Sequence, residues 1–163
     1  MTNITLCSVS ELMPRVTCIL DHVRPQLEAL VPDAEPHHIG ATSIPGAVTK
    51  GDVDVLLRVA PDRFAAAVTM LGQHFAIKQP ANWTSTFASF GDDTGYELPL
   101  GIQVVVKESS EDFFLFLRDY LISNREALGE YNRLKMRHSA AGPESYWTAK
   151  DEFLTKILAS RET

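Results

Sequence analysis

Two aspartates lie inside what is otherwise one of the most apolar segments of this chain. The segment reads "GDVDVLLRVA", residues 51–60, and its pattern predicts a strand over 52–60. Residues i and i+2 of a strand point to the same side, so Asp52 and Asp54 present both carboxylates to one face. The valines and leucine between and after them point to the other face, toward a core. The pattern therefore predicts a strand with one buried face and one face that carries charge.

Two carboxylates on one face repel each other strongly unless a cation lies between them. Hard oxygen ligands at this spacing suit Mg²⁺ or Mn²⁺, which use one or two carboxylates together with waters and phosphates. The Asp-x-Asp pattern is common in loops, where it has no such meaning. Its place inside an apolar strand favours Asp52 and Asp54 as catalytic residues and metal ligands.

The segment before the strand, "HIGATSIPG", supplies small residues around a turn. Backbone N–H groups near Gly40, together with the hydroxyls of Thr42 and Ser43, are suited to hold phosphate oxygens. Lys50 precedes the strand and is placed to neutralise part of a triphosphate. The alternative is a tight turn that only directs the path of the chain.

The order of these features also carries information. A glycine with small residues, then about ten residues, then Asp-x-Asp in a strand is the layout of nucleotidyltransferases, which arrange phosphoryl transfer around two metal ions. The pattern predicts a nucleoside triphosphate as substrate. It leaves the acceptor and the preferred base open.

The whole chain sets further limits. Its 163 residues suit one domain, and a net charge of -6 argues against non-specific binding of nucleic acids. No apolar run is long enough to cross a membrane, and the N-terminus does not resemble a signal peptide. Cys7 and Cys18 have neither metal-ligand spacing nor a disulfide framework, so we expect reduced thiols in a cytoplasmic protein.

The periodicity of apolar residues predicts an α+β fold. An amphipathic helix over 8–30 precedes a small mixed β-sheet, and three helices form the last third of the chain. The sheet-containing part covers about 1–108 and the helical part about 109–163. Neither part is rich enough in apolar residues to stand alone, so we expect a single domain over 1–163.

The motif "HIGATSIPG", followed by Lys50 and Asp54, resembles the GrpB family. The resemblance continues in "FLRDYLISNREALGEYNRLKMRHS" and "ESYWTAKDEF", so that the matches extend from His38 to Phe153 in the order of the family. It implies a nucleotidyltransferase-like fold with a small mixed sheet and appended helices. It does not bring an established reaction with it.

The chain departs from the family pattern at three positions. Ala41 replaces the usual serine, and Asp52 stands where the family often has an apolar residue, which completes the Asp-x-Asp motif. Gln103 stands where the family tends to have histidine. Active nucleotidyltransferases commonly have a third carboxylate on a neighbouring strand, and the candidates for a third ligand here are Gln103 and Glu97.

Three cations match the family motifs on the three C-terminal helices. The resemblance implies that Arg118, Lys135 and Lys150 contact the triphosphate if these helices pack over the aspartates. The alternative is that each is an ordinary solvated helix residue. Two functions follow from the sequence: a metal-dependent nucleotidyltransferase that acts on an acceptor hydroxyl, or a non-catalytic nucleotide-binding or protein-interaction module on the same fold.

Overall fold

The structure is a computed structural model that describes residues 4–161. In chain order its elements are β1 (Cys7–Ser8), α1 (Val9–Leu30), β2 (Pro36–Ile39), β3 (Val48–Thr49), β4 (Val53–Val59), α2 (Phe64–Gly72), β5 (Ala76–Ile77), β6 (Phe87–Asp92), β7 (Leu100–Val106), α3 (Phe114–Ser123), α4 (Arg125–Ser139) and α5 (Pro143–Ser160). Short 3-10 turns lie at Ala41–Ser43, Pro61–Arg63 and Pro80–Asn82. Among residues 4–161, no helix combines the length and the apolar character needed to cross a membrane.

Five strands form one mixed sheet in the order β2-β4-β7-β6-β5. Strands β4 and β7 pair in parallel, whereas the β2–β4, β6–β7 and β5–β6 pairs are antiparallel. Strands β1 and β3 form a separate two-stranded ribbon. The predicted α+β fold, with its N-terminal helix, small mixed sheet and three C-terminal helices, is confirmed.

Strand β4 lies inside the sheet and separates the core from the charged face. It begins at Val53, so Asp52 lies one residue before it and Asp54 is its second residue. Val53, Val55 and Leu57 are fully buried in the main core, as their alternation predicts. That core also contains the apolar stripe of α1, which includes Leu12, Val16, Ile19, Val23 and Leu27.

The opposite face of the sheet is covered only in part. A small apolar cluster joins Ile39, Leu56 and Val105 to Phe114 and Leu115 at the start of α3. Asp54 and its parallel neighbour on β7 lie on this same face but outside the cluster. The uncovered end of the face is where the charged residues gather.

Helix α4 attaches the helical part of the chain to the segment that leads to β4. The Asn132 side chain accepts a hydrogen bond from the Val48 N–H (3.0 Å) and donates one to the Gly46 carbonyl (2.9 Å). One turn further along α4, the Lys135 ammonium donates to the Val48 carbonyl. Two side chains of α4 thus fix the backbone of residues 46–48.

Lys135 differs in its surroundings from a solvated helix lysine. Its side chain is 1% exposed, and its ammonium lies 4.4 Å from the ring centre of Tyr131. Burial, together with the positive charge of Lys150, lowers its pKa to about 7. The structure therefore places this predicted nucleotide-binding residue between α4 and β3, where its ammonium already has an acceptor.

We expect Lys135→Met to flatten the pH dependence of stability. A lysine whose pKa falls to about 7 on folding binds fewer protons in the folded than in the unfolded state between about pH 7 and pH 10. The free energy of unfolding of the wild type should therefore rise by about 2 kcal/mol from pH 7 to pH 9. Denaturant unfolding at both pH values measures it.

Lys150 also has a lowered pKa and makes the free energy of unfolding rise with pH in the same way. The test therefore compares the slope of the free energy of unfolding against pH in Lys135→Met with that in the wild type. Lys156→Met removes an exposed lysine of α5 and serves as the control, which should keep the slope of the wild type. An equal slope in Lys135→Met and the wild type would contradict the expectation.

Candidate functional site

The carboxylate of Asp54 lies in a gap formed by two glycines. A Cβ atom on Gly40 would come within 2.6 Å of Asp54 Oδ2, and one on Gly101 within 2.5 Å of Asp54 Oδ1. Gly40 also has a φ of +75°, a conformation that favours glycine. Gly101 is the residue of β7 directly beside Asp54 in the parallel register. Any side chain at either position would displace the carboxylate.

Asp54 is half-buried and has no structural partner. Within residues 4–161 its carboxylate makes neither a hydrogen bond nor an ion pair. Burial, and secondly the negative charge of Asp52, raise its pKa to about 6, while Lys150 and Lys50 oppose the rise. A buried carboxylate without a partner is costly, which is common where a protein keeps a group free for a ligand.

Asp52 has a partner close in sequence. The Lys50 ammonium forms an ion pair with Asp52 Oδ2, and the two side chains are 30% and 28% exposed. Both residues precede β4, so the ion pair sits at the open end of the strand. Lys50 thus already supplies positive charge to the aspartate pair.

Helix α5 adds a second lysine. Lys150 is half-buried, and its ammonium lies 5.3 Å from the ring centre of Tyr146 and 4.7 Å from that of Trp147. Burial and the positive charge of Lys50 lower its pKa, and the two aspartates act in the opposite direction. Lys150 is therefore within electrostatic range of both carboxylates.

The turn before β3 is held by a chain of polar contacts. The Thr42 hydroxyl donates to the Asp52 carbonyl (3.1 Å) and lies 2.9 Å from His38 Nε2. Since the single hydroxyl hydrogen goes to Asp52, the His38 ring must carry its own hydrogen on Nε2 and donate it to Thr42. Burial, with the positive charges of Arg24 and Arg118, lowers the pKa of His38 to about 4, so this ring is neutral at pH 7.

Arg118 and Ser43 extend the same arrangement. Arg118 donates to the His38 carbonyl (3.1 Å) and to Asp119 Oδ1 (2.9 Å), which ties α3 to β2. The Ser43 hydroxyl donates to the Gly40 carbonyl at 2.5 Å. The hydroxyl hydrogens of Thr42 and Ser43, both predicted to bind phosphate, are thus already donated to backbone carbonyls. Arg118 also donates to a backbone carbonyl.

The two candidates for a third ligand lie in different places. Gln103 pairs with Leu56 in the parallel register, which puts it on the sheet face of Asp54. Its Oε1 is buried and has no hydrogen-bond partner, and its Nε2 would be 3.3 Å from a Cβ on Gly101. Glu97 is exposed in the loop before β7.

These groups can be tested against the ligand set of a divalent cation. No group of three or more histidine, cysteine, aspartate or glutamate side chains suited to a metal exists among the described residues. The two carboxylates nevertheless suit one Mg²⁺ or Mn²⁺ ion that completes its shell with water and phosphate, and the unpartnered amide oxygen of Gln103 belongs to a side chain on the same sheet face.

A separate cavity of about 680 Å³ lies between α4 and α5. It contains the hydrogen bond between His138 Nδ1 and the Ser145 hydroxyl (2.8 Å). None of its lining residues belongs to the predicted site. The aspartate site at the end of β4 is distinct from this cavity.

Comparison with known proteins identifies the family. The family described as GrpB protein matches residues 8–160 of the chain. The chain belongs to the GrpB family. A UPF0157 protein of Vibrio cholerae serotype O1 is 34% identical over 134 residues, which are 82% of this chain and 70% of that protein.

Solved structures agree with this assignment. The conserved protein GrpB from Enterococcus faecalis has a TM-score of 0.66 at 16% identity and covers 89% of this chain and 96% of its own. The Cid1 poly(U) polymerase, as a mutant bound to MgATP, has a TM-score of 0.54 at 14% identity. That match covers 82% of the GrpB-family chain but 43% of Cid1, and it shows a shared nucleotidyltransferase-like fold.

Sequence reasoning missed two contributors to this site of the GrpB-family chain. The first is Trp147, which lies three residues before Lys150 on α5, a spacing that brings helical side chains together. The second is His38, whose contact with Thr42 depends on the fold of the intervening turn. The first signal was readable from the sequence and the second was not.

We expect Asp54→Asn to stabilise the protein at neutral pH. Because folding raises the pKa of Asp54 to about 6, its charged form opposes folding above that pH, and the penalty disappears below about pH 4. The free energy of unfolding should increase by about 1–2 kcal/mol at pH 7.5 and be unchanged near pH 4. Chemical unfolding at the two pH values measures this.

Asp21→Asn removes an exposed aspartate of α1 and provides the control for a general change in net charge. A loss of stability in Asp54→Asn at pH 7.5 would mean that the carboxylate accepts structural hydrogen bonds, which would refute our account of its environment.

Proposed function

We propose that this GrpB-family protein binds a nucleoside triphosphate with Mg²⁺ or Mn²⁺ at Asp52 and Asp54 and transfers its nucleotidyl group to an acceptor hydroxyl. The observation that carries the proposal is the Asp54 carboxylate, which is half-buried, flanked by Gly40 and Gly101 and without a structural partner. A protein that used Asp54 only for folding would have given it a hydrogen-bond donor.

The metal would be held by the two aspartates, with the Gln103 amide oxygen as a third protein ligand. When bound, the cation neutralises phosphate charge and lowers the pKa of an attacking hydroxyl. In the proposed transfer the acceptor oxygen forms a bond to the α-phosphorus, the bond from that phosphorus to the bridging oxygen breaks, and pyrophosphate leaves. The proton of the hydroxyl is released to solvent.

The remaining residues of the site would either bind the phosphates or fix the backbone around them. Lys50 and Lys150 would hold the β- and γ-phosphates and stabilise the charge of the departing pyrophosphate. The first N–H groups of the 3-10 turn after Gly40 have no acceptor within the turn itself and would donate to phosphate. Thr42, Ser43 and Arg118 would act indirectly, by fixing the turn. We leave Lys135 out of the phosphate contacts, since its ammonium is buried against Val48.

Similar structures support a triphosphate as ligand. Structures of Cid1 contain MgATP, MgGTP or the UTP analogue UMPNPP. At 14–15% identity that likeness concerns the fold, so the nucleotide is carried to this chain only as part of the proposal. A nucleotide substrate also agrees with the cytoplasmic location expected from the free thiols of Cys7 and Cys18.

A second function is a nucleotide-binding or protein-interaction module without catalysis. The observation in its favour is that the described residues contain no third carboxylate beside Asp52 and Asp54. An amide oxygen binds Mg²⁺ more weakly than a carboxylate, so a site with two aspartates and Gln103 supports one cation better than two. The two functions share the binding site and differ in turnover.

The first test concerns binding. We expect calorimetric titration of the wild type with ATP, CTP, GTP or UTP to show weak binding in Mn²⁺ or Mg²⁺ and at least tenfold weaker binding in EDTA, because the carboxylates then face the triphosphate without a cation. Asp52→Asn/Asp54→Asn should lose the metal dependence. Glu97→Gln, which alters an exposed loop carboxylate, should bind like the wild type.

If nucleotide binding by Asp52→Asn/Asp54→Asn still depends on the metal, the two aspartates are not the metal ligands and the proposed site is wrong. A loss of metal dependence in Glu97→Gln would instead identify Glu97 as the third ligand.

The second test separates transfer from simple binding. Gln103→Glu adds a carboxylate on the sheet face of Asp54, so we expect it to tighten Mn²⁺-nucleotide binding and to increase pyrophosphate release. The assay uses labelled triphosphates and the wild type side by side. Pyrophosphate release by the wild type supports the transferase, whereas none in either protein, with binding intact, supports the module.

A further inference from the structure

Trp147 is a large aromatic residue that the packing of the protein does not require. Its side chain is 42% exposed, whereas the preceding Tyr146 is 1% exposed and fills the interior side of α5. The indole meets Tyr146 edge-on at a centroid distance of 5.5 Å. An exposed tryptophan beside a charged site calls for an explanation other than core packing.

The ring of Trp147 is within reach of both lysines of the site. The ammonium of Lys50 lies 4.9 Å from its ring centre, and that of Lys150 lies 4.7 Å from it. Ammonium groups within about 6 Å of an indole are attracted by the negative charge density of the ring face. One side chain thus contacts two cations that come from distant parts of the chain.

These two cations repel each other, and the site must hold them against that repulsion. In the structure the aspartates do part of this, through the ion pair of Lys50 with Asp52 and the attraction of Lys150 to both carboxylates. A divalent cation on the aspartates would compete for the same negative charge. The ring of Trp147 would then be the attractive partner that both lysines retain.

We infer that Trp147 is a positioning residue, which holds the ammonium groups of Lys50 and Lys150 over the aspartate pair so that both meet the triphosphate once a cation occupies the carboxylates. The inference rests on the proposed function, since it assigns a role within the same site. It concerns the phosphates of the ligand, and it requires no contact between Trp147 and the base.

The test uses Trp83→Phe as the parent protein, because the chain has two tryptophans and Trp147 is then the sole position at which a fluorinated tryptophan can be incorporated. Trp83 packs on Phe90 away from the aspartates, so this change should leave ligand binding intact. Into this parent we introduce Trp147→Leu, which removes the π face, and Trp147→Phe, which keeps one. Melting temperatures confirm that each variant is folded.

Three ligands are titrated by calorimetry: Mn²⁺ alone, Mn²⁺ with inorganic tripolyphosphate, and Mn²⁺ with ATP. We expect Trp147→Leu to weaken binding of tripolyphosphate and ATP equally, by about fivefold, and Trp147→Phe to retain most of the affinity. Binding of Mn²⁺ alone should not weaken in either variant, because the ring contacts the lysines and not the carboxylates.

Fluorinated tryptophans give a readout that a purely structural role would not move. Fluorine withdraws charge from the face of the indole while its shape changes little, so affinity for Mn²⁺-tripolyphosphate should fall stepwise with the number of fluorine atoms at position 147. Calorimetry measures the affinity, since fluorination alters the emission.

The outcomes separate this inference from the proposed function. If the parent protein binds neither Mn²⁺-ATP nor Mn²⁺-tripolyphosphate, both the proposed function and the inference are overturned. If the parent binds both and Trp147→Leu binds them equally well, only the inference is overturned. A loss confined to ATP would make Trp147 a base-stacking residue, and a loss without dependence on fluorine would make its role one of shape; either result overturns the inference.

Discussion

The site depends on one electrostatic constraint, which is that a carboxylate must be held at a half-buried position without a hydrogen-bond donor. Asp54 meets it because Gly40 and Gly101 leave room for its oxygens on the sheet face. Its pKa rises as a result, and the chain compensates from a distance with lysines and not with a direct partner. Folding therefore tolerates an unfavourable charge where a ligand can make it favourable.

The local part of the site was predictable from the sequence, because strand alternation fixes which side chains share a face. The same pattern separates Asp54 from Val53 and Val55. The neighbours of Asp54 across the sheet were not predictable, since the parallel register of β4 and β7 depends on the tertiary fold. Only the structure shows that Gly101, and not a side chain, lies beside Asp54.

Residue type alone also could not reveal how each cation is used. Lys135 and Lys150 both match family motifs and both lie on C-terminal helices. Lys135 is buried against the Val48 carbonyl, whereas Lys150 lies among aromatic rings near the aspartates. Burial depends on how α4 packs against α5 and against residues 46–48, and no short motif encodes that packing. The roles of Thr42 and Arg118 could not be read from the sequence for the same reason.

The hold of α4 on residues 46–48 has a consequence for the order of assembly. Asn132 and Lys135 reach the turn across separations of 84 to 87 positions, and Lys50 and Trp147 are also far apart in the chain. Closing contacts of such long range costs chain entropy, and none of them can form before α4 and α5 have been synthesised. During synthesis the aspartates leave the ribosome long before the lysine of α5. The charged surface therefore exists only after α5 has packed beside the residues before β4, and a ligand that binds it recognises a chain in which both parts are already in place.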